Sequence, residues 1–188
     1  MGLRVYIATS NAHKIAEARA VLGEYGIELE PVKAVKLEVQ SDSLEEIALR
    51  AARTAYSNSR ASPLIVEDAG LFIYSLNGFP GPYTSYAYKT IGLEGVLRLL
   101  EGSRDRRARF VSAVAVIEPP LERVFVGVAE GYIAAEPRGG SGFGFDPIFI
   151  PEGSRRTFAE MSLEEKNKYS HRAKELRMAA EWLLSLRG

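Results

Sequence analysis

Pro63-Leu64-Ile65-Val66-Glu67-Asp68-Ala69-Gly70 is the stretch on which the fold turns. An apolar, β-branched run suited to a buried strand leads straight into two adjacent acids and a glycine. In an open α/β sheet, ligands are met just beyond the carboxyl ends of strands, so the expectation is a strand that ends near Val66 and delivers Glu67 and Asp68 to a site. Successive strand residues point to opposite faces, so one of the two acids is expected to enter that site, and spacing does not choose between them.

Upstream, the pattern is strand, helix, strand, helix. Leu3 to Ala8 is a short apolar run that ends in Thr9-Ser10-Asn11, and Ile15, Ala18, Val21 and Leu22 then recur at helical spacing as far as Gly26. Ile27 to Lys33 reads as a second strand, and Gln40-Ser41-Asp42-Ser43 introduces an alanine-rich helix from about Leu44 to Ser57. Two β-α-β passages imply a sheet covered by helices.

Downstream, Gly78-Phe79-Pro80-Gly81-Pro82-Tyr83 is a shaped loop and Glu94 to Glu101 a helix. Arg109 to Glu118 and Arg123 to Glu130 flank Pro119-Pro120 as a long hairpin, which makes the sheet mixed. Tyr132 to Ala135 reads as a further strand, and a glycine-rich segment from Gly139 to Pro147 precedes a C-terminal helical region ending in Trp182, Leu183 and Leu184. The fold class is therefore α/β, in one domain over residues 1–188.

Composition narrows the function. The chain has 188 residues, 46% of them hydrophobic, enough for an ordinary core without disulfide or metal staples. Its formal charge is zero, so no long-range field recruits nucleic acid, and an anionic ligand has to be held locally. The absence of cysteine excludes disulfides, thiolate metal sites and thiol catalysis, and points to a reducing compartment, the cytoplasm. The N-terminal apolar run is too short for a signal peptide, and no stretch of about 20 apolar residues follows, so no membrane partner is expected.

Four segments carry candidate chemistry. Thr9-Ser10-Asn11-Ala12-His13-Lys14 sits where a strand feeds a helix, a place where backbone N–H groups and the helix dipole favour phosphate; the same residues also read as an N-cap followed by a surface lysine. No G-x-x-x-x-G-K-[ST] motif occurs, which disfavours a P-loop. Ser43-x-x-Glu46 matches a capping box, which accounts for Glu46 without metal, whereas Glu67-Asp68 supplies hard oxygen ligands suited to magnesium. Gly142-Phe143-Gly144-Phe145-Asp146-Pro147 is able to stack a base and offer a polar edge, or is a turn with core phenylalanines. Ser162 to Arg172 is a capped helix with clustered cations and one histidine, a pattern that a solvated helix face shares. The basic run Arg104 to Arg109 reads as an exposed approach to the hairpin.

In order along the chain, these segments resemble the inosine triphosphate pyrophosphatase family, also called Ham1-like or non-canonical purine NTP pyrophosphatases. The resemblance spans nearly the whole chain. It is carried by Ala8-Thr9-Ser10-Asn11 with Lys14 and Glu17, by Ser43 to Ala48, by Val66 to Leu71, by Asn77 to Tyr83, by Gly142 to Pro147, and by Arg156 to Met161 leading to Lys166 and Ser170-His171-Arg172. It implies an elongated, two-lobed fold with a long, highly twisted mixed sheet and a central substrate cleft, and a homodimer. It also implies hydrolysis of ITP, dITP and XTP to the monophosphate and pyrophosphate.

By position, the resemblance implies that Thr9 to Lys14 cradle the triphosphate, that Glu46 and Asp68 hold magnesium, and that Asp68 helps to activate the attacking water. It further implies that Ala69 lies beside the ligand, that Phe143, Gly144, Phe145 and Asp146 embrace base and sugar, that Lys166 touches ligand, and that His171 and Arg172 read the six-position of the purine. Ser10 stands where the family usually has glycine, Arg53 where it often has lysine, and Ala69 where it usually has serine or threonine, which removes a hydroxyl able to reach the ligand. Maf-like nucleotide pyrophosphatases are the alternative enzyme and a non-catalytic nucleotide sensor the alternative of another class; substrate profiling and pyrophosphate release separate them.

Overall fold

The computed structural model describes residues 2–188. Strand β1 (Arg4–Ile7) leads into helix α1 (Ala12–Gly23), β2 (Glu28–Pro31), α2 (Leu44–Ser59) and β3 (Leu64–Ile73). Then come the short β4 (Pro80–Gly81), α3 (Thr84–Thr90), α4 (Gly92–Leu99), the long pair β5 (Arg107–Glu118) and β6 (Leu121–Ile133), β7 (Phe149–Pro151), α5 (Leu163–Tyr169) and α6 (His171–Ser185). The strand order is β2-β1-β3-β5-β6-β7, with β4 on β3. β1 pairs in parallel with β2 and β3, whereas β3–β4 and β6–β7 are antiparallel, so the sheet is mixed as expected.

Two sequence expectations need correction. β3 does not stop at Val66: it runs on through Glu67, Asp68 and Ala69 to Ile73, so the acids lie within the strand and not beyond its end. The extension is possible because Gly70 lets the β4 segment approach. A Cβ on Gly70 would lie 2.4 Å from the Gly81 carbonyl oxygen, and the Thr84 hydroxyl bonds both the Leu71 N–H and the Gly81 carbonyl. Likewise, Tyr132 does not begin a new strand but continues β6 to Ile133, while β7 and α3 have no counterpart in the sequence reading.

The chain forms two compact units. The first comprises Met1–Asp68, Ser112–Gly127 and Arg172–Gly188; the second comprises Ala69–Val111 and Val128–His171. Each has its own apolar core. In the first, Val5, Ile7, Val21, Leu22, Ile65, Val114, Val116, Leu176 and Leu183 pack together. In the second, Leu71, Ile73, Val96, Phe110, Phe145, Phe149 and Phe158 do so. Among the described residues no helix is long and apolar enough to cross a membrane.

Candidate active site

In the first unit, the turn from β1 into α1 is closed by its own side chains. Asn11 is the N-cap: its Oδ1 accepts from the backbone N–H of His13 at 3.0 Å and of Lys14 at 3.3 Å, and Thr9 Oγ1 accepts from the Asn11 N–H at 3.2 Å. The capping interpretation and the phosphate-loop expectation thus fall on the same groups. Ser10, Ala12 and His13 are exposed around this cap. Lys14 turns inward. Its Nζ lies 3.4 Å from the Glu67 carbonyl oxygen and 3.6 Å from Glu67 Oε1, which ties the loop to β3 across 53 residues.

Lys14 and Glu17 share one face of α1, three residues apart, and Glu17 is buried beside Ala18 and Val21. Opposite them stands Arg172, in the first turn of α6 and only 3% exposed. Its guanidinium forks onto Glu67, with Nε–Oε2 at 2.8 Å and Nη2–Oε1 at 3.0 Å, while Nη1 bonds Glu17. Burial alone would favour loss of its proton, but Glu67 and Glu17 overcome this and hold the group well above the ordinary guanidinium range. Arg172 is therefore held by two carboxylates, those of Glu67 and Glu17. Alternation along β3 places Asp68 on the face opposite Glu67. Glu67 is thus the acid of the pair that Arg172 and Lys14 hold.

Glu46 stands at the start of α2, exposed. The Ser43 hydroxyl caps the helix by accepting from the Glu46 N–H at 3.1 Å, yet the carboxylate does not return to Ser43: it accepts from the Ser41 hydroxyl and from Arg50 Nε, each at 2.8 Å. Half of the capping box forms. The Ser41 hydrogen bond first, and Arg50 second, hold the carboxyl below its ordinary range, so it is ionised and fit for a cation. Arg53, on the same helix, pairs with Glu122. Among the described residues no cluster of three or more acids or histidines could hold a metal. The donor set that the resemblance implies, Glu46 and Asp68, consists of two hard carboxylates, a chemistry that suits magnesium.

In the second unit, Gly142 opens the aromatic loop with φ +75°, and a Cβ there would strike Asp146 Oδ2 at 2.2 Å. That oxygen accepts from the Phe143 N–H at 2.9 Å and from Lys166 Nζ at 2.7 Å, and the side chains of Lys166 and Asp146 are only 4% and 5% exposed. Lys166 Nζ also lies 5.2 Å from the centre of the Phe143 ring. Phe143 and Gly144 are half-buried, whereas Phe145 is fully enclosed and meets Tyr88 edge to face at 5.4 Å. The Phe145 ring is therefore core, not a base-stacking face; Phe143 is the ring with a surface. His171 is buried too, stacked on Phe110 at 4.8 Å. Ala69, half-buried in β3, contributes a methyl group and no hydroxyl.

One group escaped the sequence reading. Glu175 lies fully buried in α6, one turn after Arg172. The signal was present in the helix pattern: Arg172, Leu176, Ala179, Ala180 and Leu183 form the inward stripe, and Glu175 falls inside it.

The family model described as Ham1 family matches residues 5–182. A dITP/XTP pyrophosphatase of Saccharolobus solfataricus is 50% identical over 184 residues, covering 98% of this chain and 95% of that protein. One from Methanopyrus kandleri is 55% identical over 181 residues, 96% of each. Among solved structures, a HAM1 protein from Coxiella burnetii superposes with a TM-score of 0.84 at 34% identity, covering 97% of this chain and 99% of that one.

Proposed function

The chain belongs to the Ham1 family, and on that premise we propose that it hydrolyses non-canonical purine nucleoside triphosphates, dITP, XTP and ITP, to the monophosphate and pyrophosphate. The observation that carries the reading is the link from Lys14 to Glu67, because it brings the loop at the start of α1 against the strand that bears Asp68.

The phosphate chemistry falls to the loop at the start of α1 and to two acids. Lys14 offers a point charge to the triphosphate, and the Ser10 and Ala12 N–H groups border the capped helix start. Glu46 and Asp68 would hold magnesium, which, when bound, neutralises phosphate charge and favours attack at phosphorus. Asp68 takes the proton from the water that attacks the α-phosphorus in line, and pyrophosphate leaves. Positioning and charge neutralisation account for most of the rate.

The aromatic surface proposed for the base is Phe143, whose backbone N–H and ring are held by the Asp146–Lys166 pair. Recognition of a keto oxygen falls to Arg172 and His171, each held in orientation by protein partners. Donors fixed in this way reject an adenine amino group, by a factor on the order of 10⁴. The proposed setting is the cytoplasm, where nucleoside triphosphates are made and used. The proposed assembly is a homodimer that covers exposed rings such as Tyr83 and Tyr86.

The decisive experiment incubates the protein and magnesium with a panel of triphosphates and identifies the leaving group. Pyrophosphate release from dITP, XTP and ITP over ATP and GTP, abolished in Asp68→Asn, is the expected result. Orthophosphate as the first product, or normal turnover by Asp68→Asn, overturns it.

A further inference from the structure

Two cations and three carboxyl groups share one region of the first unit. Arg172, Glu17 and Glu67 are 3–4% exposed at the side chain, Lys14 is 19% exposed, and Glu175 is fully buried. Arg172 and Lys14 thus face three acids, Glu17, Glu67 and Glu175, with two positive charges. Neither of its carboxyl oxygens has a hydrogen-bond partner of good geometry, and the Ser112 hydroxyl on β5 is buried and unsatisfied as well. A buried carboxylate with no donor on it is costly, whereas a carboxylic acid at the same place is neutral and carries its own donor.

Four groups on four elements act on Glu175: Glu67 from β3, Arg172 from its own helix, Ser112 from β5 and Lys14 from α1. Burial first, and the Glu67 charge second, push its carboxyl well above the ordinary carboxylate range; Arg172, Ser112 and Lys14 act against them and do not cancel them.

We propose that Glu175 is a positioning residue for Lys14: carrying a proton, it leaves Glu67 as the partner of the ammonium, and on losing that proton it competes with Glu67 and draws Lys14 out of the phosphate loop. The proposal rests on the reading that Lys14 holds substrate phosphate. It makes substrate binding depend on pH through a residue that touches no substrate. Glu17 is bonded to Arg172.

Two measurements on the full-length protein test it. The first follows kcat and KM for dITP, with saturating magnesium, from neutral to alkaline pH in wild type and in Glu175→Gln, whose amide copies the shape of the neutral acid. Wild-type KM is expected to climb by about tenfold per pH unit once the proton is lost, with kcat little changed, while KM of Glu175→Gln stays level over the same range. The second is an infrared difference spectrum of wild type against Glu175→Gln at neutral pH, in which a protonated carboxylic acid band should be present in wild type alone.

An alkaline rise in KM that is the same in both proteins overturns the proposal, and so does the absence of the acid band. If no triphosphate is turned over at all, the substrate reading fails, the positioning claim falls with it, and the infrared band alone decides the proton assignment.

Discussion

Asp146 shows how much one oxygen atom can organise. Its Oδ2 joins the Phe143 N–H and the Lys166 ammonium, and it lies so close to Gly142 that no side chain fits there. The loop's aromatic residues are therefore placed by a buried ion pair and not by loop sequence alone. Asp146→Ala removes the carboxylate that Lys166 bonds in a nearly dry setting, and the expected cost is roughly 3–5 kcal/mol, read as a lower midpoint of denaturant unfolding. A midpoint within error of wild type would mean that the pair contributes nothing net. The residue types at these positions were legible in the sequence, but their burial was not. Lys166, His171 and Arg172 look like a solvated cationic face in one dimension, and each is buried in the structure.

At the level of elements, β3 is the instructive case. Apolar patterning stops at Val66, and a strand was accordingly expected to end there; the observed strand continues through two acids to Ile73. Tertiary partners override the local pattern, since Glu67 is neutralised by Arg172 and Lys14, and Leu71 and Phe72 gain the β4 segment as a neighbour. Gly70 is the permissive position. Gly70→Ala drives a methyl group into the Gly81 carbonyl, and overpacking of this kind costs about 1–3 kcal/mol. Faster amide exchange at Leu71, whose N–H bonds Thr84 Oγ1, is the expected sign of β4 lifting away. Unchanged exchange there would show that the segment shifts without loss. Helix ends were easier to read: Asn11, Ser43 and Ser162 cap α1, α2 and α5 where their side-chain chemistry predicts.

For the molecule as a whole, the buried acid in α6 couples folding to pH. Glu175 has a folded-state pKa raised above its unfolded value, so between the two values the native state binds the extra proton. Its stabilising contribution is complete below the ordinary carboxylate range and is lost as pH rises toward the folded value, at up to about 1.4 kcal/mol per pH unit for one proton. Denaturant unfolding at a series of pH values should show this decline in wild type and a flatter curve in Glu175→Gln; parallel curves would refute the linkage. The sequence by itself determined that the chain is an α/β protein with a mixed sheet, where its helices begin, and, through ordered motifs, its family, because hydrophobic period, cap chemistry and motif order are local properties. Only the tertiary structure decided which of two adjacent acids is consumed by cations, that Phe145 is core while Phe143 keeps a surface, and that Glu175 is a buried acid. The proton on Glu175, held because three buried acids meet two cations, is likewise a tertiary fact: burial and charge balance are set by residues far apart in the chain, and no local pattern encodes them.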